Sequence, residues 1–464
     1  MDISSGLRRI AGNNVLFSKE EMIPYTRDAS QHQGDFPIAV VIPESVQELS
    51  RIMKYCYEND VQMTARGGGS SLTGSSVLNG KGIIISLSKF NKILEVKVED
   101  RYALVESGVR LDDLNEFLSK YDHFYPPDPA SSRVCTVGGS LSTNAGGLRG
   151  AMYGVTKDWV LGVEAVLPNG EIAQMGGMTL KRSAGYDLTA LLIGSEGTLG
   201  IITKAILKIW PKPEKVGRVL SYFEDIESAG KAVASIKGKG INPQVAEFMD
   251  RISLESIRLT KEIEFPENTN YMLLIDIAST EESLERQLKG VATMLSEFHP
   301  ISVKVTTDES EMQKMYEARK GLYSSILSQR KSTSEYVVLS DIVVPTSKLP
   351  ATLKEIKESM ESFAIRAAIF GHIGDGNIHA NIFVDLSSKE KVESVERFQK
   401  ELGMISLKHS GSVSAEHGIG MEKKELLKEE FRIKNSPATM ELMKSIKTTI
   451  DPKNLLNSGK IFDV

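Results

Sequence analysis

Cysteine is almost absent from this chain, which has only Cys56 and Cys135 among its 464 residues. Two cysteines are too few for a disulfide scaffold, an all-cysteine zinc site or an iron–sulfur cluster held by this chain alone. Such scarcity is usual in a reducing compartment. We therefore expect a cytoplasmic protein.

Long hydrophobic runs and an excess of positive charge are missing as well. No apolar stretch approaches the ~20 residues that span a bilayer, and the N-terminal sequence MDISSGLRRIAGNN lacks the apolar core of a secretory signal. Lys and Arg number 56 against 61 Asp and Glu, and no basic stripe is present to neutralise phosphates. The sequence predicts neither an integral membrane protein nor a nucleic-acid partner.

What the chain does have is the composition of a globular protein, with 41% hydrophobic and 25% charged residues. Its length predicts roughly three domains. The pattern changes at Pro211 and Pro213, after which amphipathic helices alternate with apolar strands. We predict an α+β protein with a boundary near residue 212.

Glycine-rich loops dominate the first part of the chain. RGGGSSLTG spans Arg66 to Gly74 and follows a predicted helix and strand, and two more runs rich in Gly, Ser, Thr and Asn span Tyr125 to Gly150 and Ile193 to Thr203. Glycine lets successive N–H groups turn toward one anion. One such loop could equally be a linker, and it fits neither the Walker pattern nor the Rossmann fingerprint. Three together favour a large, phosphate-bearing ligand.

Two histidines stand seven residues apart in FGHIGDGNIH, at His372 and His379. Asp375-Gly376 is a dipeptide preferred in two-residue type I′ hairpin turns, and such a turn would place the histidines opposite each other on one face, close enough to share a metal. The alternative is that one histidine packs and the other meets solvent. Glu416 and His417, adjacent in AEHGIG, offer a further carboxylate and imidazole, so the pattern favours a catalytic divalent-metal site.

The glycine loops carry a first resemblance. Arg66 to Gly74, Pro126 to Pro129, Thr136 to Gly139, Asn144 to Gly147 and Ser195 to Thr198 resemble the flavin domain of the vanillyl-alcohol oxidase and p-cresol methylhydroxylase superfamily. The resemblance implies FAD held between two α+β subdomains. The residues it assigns to FAD are Arg66, Gly67, Gly68, Gly69, Ser70, Ser71, Thr73, Gly74, Pro127, Asp128, Thr136, Gly138, Gly139, Ser142, Thr143, Gly146, Tyr153, Glu196, Gly200, Ile202 and Asn457.

Some members of that superfamily attach the flavin through a histidine beside the glycine loop. This chain has no histidine between His32 and His123, and Ser70 and Ser71 occupy the corresponding positions. We therefore predict that FAD binds without a covalent link.

A second resemblance covers the chain from about residue 35 to 462. GHIGDGNIH, SAEHGIG and DPKNLLNSGKIF resemble FAD-dependent D-2-hydroxyacid dehydrogenases, a family that includes D-lactate dehydrogenases, the glycolate oxidase flavin subunit and D-2-hydroxyglutarate dehydrogenase. It implies an FAD-binding domain at 1–212, a substrate (cap) domain with an antiparallel sheet at 213–410, and a segment at 411–464 that completes the active site and the FAD domain.

The second resemblance also implies roles for single residues. His372, His379 and Glu416 would hold the metal, Zn²⁺ in the first place and Fe²⁺ or Mn²⁺ as alternatives. Arg319, in YEARKGLY, would clamp the substrate carboxylate, for which a planar guanidinium is suited. His417 would take the proton of the hydroxyl while C2 of a (D)-2-hydroxyacid delivers hydride to flavin N5.

The sequence alone does not specify the substrate or the electron acceptor. D-lactate or another small 2-hydroxyacid is the expected substrate, and the electrons would pass to a separate acceptor such as an electron-transfer flavoprotein, a quinone or a partner subunit. A homodimer is compatible with the sequence. The alternatives are an alcohol or alditol oxidase on the same fold and a non-catalytic flavin subunit of a redox complex.

Overall fold

The computed structural model describes residues 2–464. Its helices, in chain order, are α1 (Ile3–Ala11), α2 (Lys19–Met22), α3 (Val46–Glu58), α4 (Leu111–Leu118), α5 (Val137–Thr143), α6 (Gly150–Tyr153), α7 (Leu188–Leu192), α8 (Ile226–Gly238), α9 (Arg251–Lys261), α10 (Glu281–Ser296), α11 (Glu309–Lys320), α12 (Leu322–Leu327), α13 (Leu349–Ser362), α14 (Lys389–Lys408), α15 (Lys424–Ile433) and α16 (Pro437–Ile450). Short 3₁₀ turns cover Ile23–Thr26, Ser119–Tyr121, Thr156–Trp159 and Thr346–Lys348.

The strands are β1 (Val15–Leu16), β2 (Ala39–Val41), β3 (Gln62–Arg66), β4 (Gly82–Ser86), β5 (Ile93–Lys97), β6 (Tyr102–Glu106), β7 (His123–Phe124), β8 (Val160–Val166), β9 (Ile172–Gly176), β10 (Ile201–Lys208), β11 (Trp210–Pro211), β12 (Lys215–Phe223), β13 (Val245–Asp250), β14 (Tyr271–Ser279), β15 (Ser302–Thr306), β16 (Glu335–Val343), β17 (Ala367–Gly371) and β18 (Asn377–Asp385). In the described part of the chain, no helix combines the length and the hydrophobicity needed to cross a bilayer.

The chain forms two compact units. The first unit contains the chain up to Gly146, Val155–Lys212 and Glu416–Val464. The second unit contains Gly147–Gly154 and Pro213–Ala415.

Two sheets build most of the first unit. The four-stranded sheet has the order β1-β2-β4-β3, in which β2, β4 and β3 are parallel. Helix α3 connects β2 to β3; it begins after Ser45, whose hydroxyl accepts the N–H of Glu48, and it buries Leu49, Ile52 and Met53 completely. Because β3 and β4 are parallel, the chain must return between them. The glycine-rich segment makes this return.

The second sheet of the first unit is antiparallel, in the order β5-β6-β10-β8-β9. Its central strand β10 alternates buried and half-buried residues, with Ala205 and Leu207 fully buried. This alternation is that of a sheet with one covered face. The two sheets with their helices confirm the α+β class.

A seven-stranded antiparallel sheet organises the second unit, in the order β15-β12-β14-β13-β17-β18-β16. Alternate residues face opposite sides of a strand. One face packs against apolar residues of α8, α10, α13 and α14, and the other against those of α9, α11 and α12. The predicted antiparallel sheet is therefore confirmed.

The hairpin of β17 and β18 differs from the predicted one. Phe370, rather than His372, lies opposite His379. Residues after Gly371 form a longer loop, in which the N–H groups of Asp375 and Asn377 both donate to the carbonyl of His372, at 3.2 and 3.3 Å. The predicted two-residue turn is wrong. A register change of two residues keeps side chains on the same face, so the histidines can still meet.

Candidate active site

The two histidines of the hairpin lie close together in the second unit. Their ring centroids are 5.2 Å apart and the rings are nearly perpendicular, at 87°. His372 is 4% exposed and His379 is 6% exposed. The predicted pairing of the imidazoles is thus present, although a different turn produces it.

Glu247 on β13 contacts His372 and Arg319 together. Its Oε1 is 2.6 Å from Nδ1 of His372, and its Oε2 accepts from Nε of Arg319 at 2.6 Å. Arg319, near the end of α11, is 3% exposed, and its guanidinium lies over the ring of Phe370 at 4.7 Å. Nη2 of Arg319 lies 2.5 Å from Glu247 Oε2, so the two side chains form a buried ion pair.

Asp341 is a second buried carboxylate beside the histidines. It lies on β16 directly opposite His379 and is fully buried. Its Oδ2 accepts the N–H of Ala415 at 2.8 Å. This hydrogen bond fixes the position of Ala415, the last residue of the second unit. The next residue is Glu416, which the peptide bond to Ala415 keeps near this sheet edge. One ligand atom from each of His372, His379 and Glu416 lies within 4.8 Å of the other two.

Glu247 and Asp341 were missed by reasoning from the sequence. Each is a charged residue flanked by apolar residues inside a strand, in VAEFM and in VVLSDIVV. A carboxylate that is fully buried requires partners, so a charge inside a strand of this kind is the signal that could have found them.

His417 lies in the first unit, in the loop that precedes α15. Its Nε2 is 3.9 Å from Oε1 of Glu416, and its carbonyl accepts from Thr73 Oγ1 at 3.3 Å. The loop turns at Gly418 and Gly420, with φ of 81° and 51°.

Glu196 holds this loop against the glycine-rich segment. Its Oε1 accepts the N–H of Ile419 at 2.7 Å and its Oε2 accepts that of Gly420 at 2.9 Å. Oε2 also accepts from the hydroxyl of Ser75. Burial raises the pKa of Glu196, and these hydrogen bonds oppose the rise. Through these hydrogen bonds, the Glu196 carboxylate holds the loop that contains His417 beside the glycine-rich segment.

The glycine-rich segment has the features of an anion cradle. Within the described chain, the N–H groups of Gly67 to Leu72 have no hydrogen-bond partner, and these residues are half-exposed. Gly68 approaches the carbonyl of Val134 so closely that no Cβ would fit. Nη1 of Arg66 is buried without a partner. Unpaired donors on one loop fit a pyrophosphate.

Other residues assigned to FAD lie around this segment. Asn457 is 2% exposed; its Nδ2 donates to the carbonyls of Ser75 and Glu196, whereas its Oδ1 has no partner in the described chain. Thr136 caps α5 by accepting the N–H of Gly139. The hydroxyls of Ser142 and Thr143 donate to carbonyls of α5. At Gly146, a Cβ would collide with the Glu416 carboxylate.

Tyr153 differs from the rest of that group because it belongs to the second unit. Its hydroxyl accepts from Nε2 of Gln244 at 3.4 Å, and burial raises its pKa. A role of Tyr153 in FAD binding stays a prediction.

Two known families match this chain. Residues 37–176 match the family described as FAD binding domain. Residues 212–461, more than half of the chain, match the family described as FAD linked oxidases, C-terminal domain.

Curated relatives align over almost the whole chain. The glycolate oxidase subunit GlcD of Bacillus subtilis is 35% identical over 99% of this chain and 97% of its own. D-lactate dehydrogenase of Anaerostipes hadrus is 34% identical, over 98% and 96%. D-2-hydroxyglutarate dehydrogenase of Stutzerimonas stutzeri is 30% identical, over 97% and 96%.

Solved structures share the fold at low identity. p-Cresol methylhydroxylase with bound substrate has a TM-score of 0.79 at 19% identity, covering 99% of this chain and 96% of its own. 4-Ethylphenol oxidase from Gulosibacter chungangensis has a TM-score of 0.80 at 16% identity, covering 100% and 97%. Both resemblances found in the sequence are confirmed. The chain is an FAD-binding oxidoreductase that belongs to the FAD-linked oxidase family, together with glycolate oxidase subunits, D-lactate dehydrogenases and D-2-hydroxyglutarate dehydrogenases.

Proposed function

We propose that this protein oxidises a small (D)-2-hydroxyacid, D-lactate in the first place, to the 2-oxoacid with non-covalently bound FAD. The observation that carries the proposal is the convergence of His372, His379 and Glu416, whose ligand atoms lie within 4.8 Å of one another, beside the buried Arg319. The names of the curated relatives support a 2-hydroxyacid substrate.

The three converging residues suit a divalent metal. Two imidazoles and one carboxylate that leave positions open are typical of catalytic Zn²⁺ and of non-haem Fe²⁺, and Mn²⁺ is a further alternative. A divalent ion at this place would polarise the hydroxyl and the carboxylate of the substrate.

Arg319 is assigned to the substrate carboxylate. Its guanidinium is 3% exposed and forms a buried ion pair with Glu247, the carboxylate that also contacts His372. A guanidinium meets a carboxylate with paired N–H donors, which an ammonium does not offer.

His417 is assigned the role of base. It accepts the proton of the substrate hydroxyl, while the hydrogen on C2 leaves with its electron pair and the carbon becomes a ketone. FAD, when bound, supplies the acceptor for those two electrons. An imidazole suits this task because its unperturbed pKa of about 6.5 lies near neutrality.

The route of the electrons out of the protein is part of the proposal. We assign them to a separate acceptor, which is an electron-transfer flavoprotein, a quinone or a partner subunit. The scarcity of cysteine supports a cytoplasmic location.

Anaerobic mixing with a panel of D- and L-2-hydroxyacids tests the proposal. We expect D-lactate or another small D-2-hydroxyacid to bleach the flavin absorbance at about 450 nm. His417→Ala should slow flavin reduction by about 10²–10⁴-fold because proton removal is lost, with FAD still bound. His409→Ala is the matched control, since this histidine binds Glu355 instead. Bound FAD that no D-2-hydroxyacid reduces would contradict the proposal.

A further inference from the structure

The carboxylate of Glu247 contacts both a candidate metal ligand, His372, and the candidate substrate clamp, Arg319. We propose that Glu247 is a positioning residue that couples the two: one carboxylate orients His372 toward the metal and Arg319 toward the substrate carboxylate. The inference rests on the proposed function, and none of the sequence motifs contains Glu247.

The contacts of Glu247 show which ring nitrogen of His372 it holds. Arg319 Nε donates to Oε2 of Glu247 at 2.6 Å, and Nη2 lies 2.5 Å from the same oxygen. Both contacts of Arg319 thus go to one oxygen of Glu247 and leave the other oxygen for His372. Nδ1 of His372 lies 2.6 Å from Oε1, within hydrogen-bond distance. A metal-ligating histidine usually donates its other ring N–H to a carboxylate, so we assign the Nδ1 N–H to Glu247 and Nε2 to the metal.

The arrangement differs from an ordinary buried ion pair in the same sheet. Arg218 and Asp276 are paired on β12 and β14, where Nε and Nη2 donate to separate oxygens of one carboxylate at 2.6 and 2.8 Å. There both oxygens serve one arginine. In Glu247, which is fully buried, the oxygens serve residues from two different elements, 72 and 125 positions away.

Replacement by glutamine separates the two duties. A glutamine side chain has one carbonyl oxygen and one NH₂ group, so it can accept from His372 or from Arg319 but not from both. Its NH₂ group would face either a protonated ring nitrogen or a guanidinium. We therefore expect the side chains of His372 and Arg319 both to lose their fixed orientation.

The experiment measures Zn²⁺ affinity and steady-state kinetics on the FAD-loaded protein. Zn²⁺ binding is followed by competition with a chromophoric chelator, and the KM for D-lactate is determined at saturating Zn²⁺. For Glu247→Gln we expect a Zn²⁺ dissociation constant about 10–100-fold higher and a KM at least about tenfold higher, with kcat changed less because substrate binding is what Arg319 supplies.

Three variants serve as controls. His372→Ala is the positive control and should lose the metal. Asp276→Asn removes the carboxylate of the other buried arginine and should leave Zn²⁺ affinity within about twofold, since no histidine depends on it. If Glu247→Gln does not fold, Glu247→Gln combined with Arg319→Met removes the unpaired cation as well and should still weaken Zn²⁺ binding.

The outcomes are distinguishable. A wild-type protein that binds no divalent metal overturns the metal proposal and this inference with it. A wild type that binds Zn²⁺ while Glu247→Gln binds it equally well overturns the inference alone. Equal losses of Zn²⁺ affinity in Glu247→Gln and Asp276→Asn would also overturn it, because they would reveal a general effect of breaking a buried ion pair.

Discussion

Lys460 shows how burial changes a single charged residue. It is 2% exposed, and its Nζ donates to the carbonyl of Gly74 at 2.7 Å, at the end of the glycine-rich segment. Burial lowers the pKa of Lys460 to about 8, although the charges of Asp28 and Glu196 oppose the change. The ammonium is therefore protonated below this pH and becomes neutral above it.

We expect FAD affinity to depend on this proton. Below about pH 8 the charged Lys460 attracts the pyrophosphate that we assign to the loop, and as the pH rises through about 8 the charge and the attraction are lost. The FAD dissociation constant of the wild type, measured by flavin fluorescence, should rise between about pH 7 and 9.5. Lys460→Met should bind FAD more weakly at pH 7 and show a flatter profile. An identical pH profile in both proteins would exclude Lys460.

Single residues were predictable where the signal was local. His372, His379 and Glu416 lie in motifs with unusual spacing, so they could be chosen from the sequence. For Glu247 the sequence offers only a charge inside an apolar strand; its partner His372 could not be predicted, because it is 125 positions away and only the sheet order brings β13 beside β17. The roles of His372, His379 and Glu416 in metal binding stay predictions.

At the scale of elements, the β17–β18 hairpin shows why register is hard to predict. Asp375-Gly376 favours a two-residue turn by itself. In the fold, Gly376 has φ of 91° and approaches the carbonyl of Val344, which lies just after β16, too closely for any Cβ. This non-local contact, absent from the local pattern, accompanies the longer loop that carries His372.

Gly376→Ala should destabilise the second unit. A positive φ strains alanine and the Cβ has no room, so we expect a loss of about 1–3 kcal/mol in the free energy of unfolding. Gly290→Ala is the matched control, because this exposed glycine of α10 has nothing within 4 Å of an added Cβ; it should be neutral or stabilising by about 0.5–1 kcal/mol. Urea denaturation followed by circular dichroism measures both. Equal stability of the two variants would refute the strain at Gly376.

For the whole molecule, the class of the fold followed from alternating elements and from motifs, and it is confirmed. The first unit, in contrast, is assembled from three segments that are far apart in the sequence. Its last segment is fastened by Lys447, which is 3% exposed and donates to the carbonyls of Thr198 and Leu456 at 2.9 and 2.8 Å, and to Asp451 at 2.5 Å. The DPKNLLNSG motif was recognised, whereas the buried lysine that anchors it has no local signature.

Lys447→Met should loosen the first unit. The substitution leaves Asp451 buried without its cation, and breaking such a pair costs about 3–5 kcal/mol. We expect FAD to be released at a lower temperature, which the rise of flavin fluorescence on heating would report. Lys444→Met, a half-buried lysine of the same helix α16, should change the release temperature little. Release at the wild-type temperature in Lys447→Met would show that this anchor contributes nothing.

The threading of the first unit also has a consequence for biosynthesis. Asn457 bonds the carbonyls of Ser75 and Glu196, and Leu456 forms a bridge with Met63, so the three segments of the unit meet at residues that leave the ribosome far apart in time. The second unit, with its single long segment from Pro213 to Ala415, can fold during translation, since domains generally fold as units when they emerge. The glycine-rich segment therefore cannot gain these contacts until Leu456 and Asn457 have been synthesised.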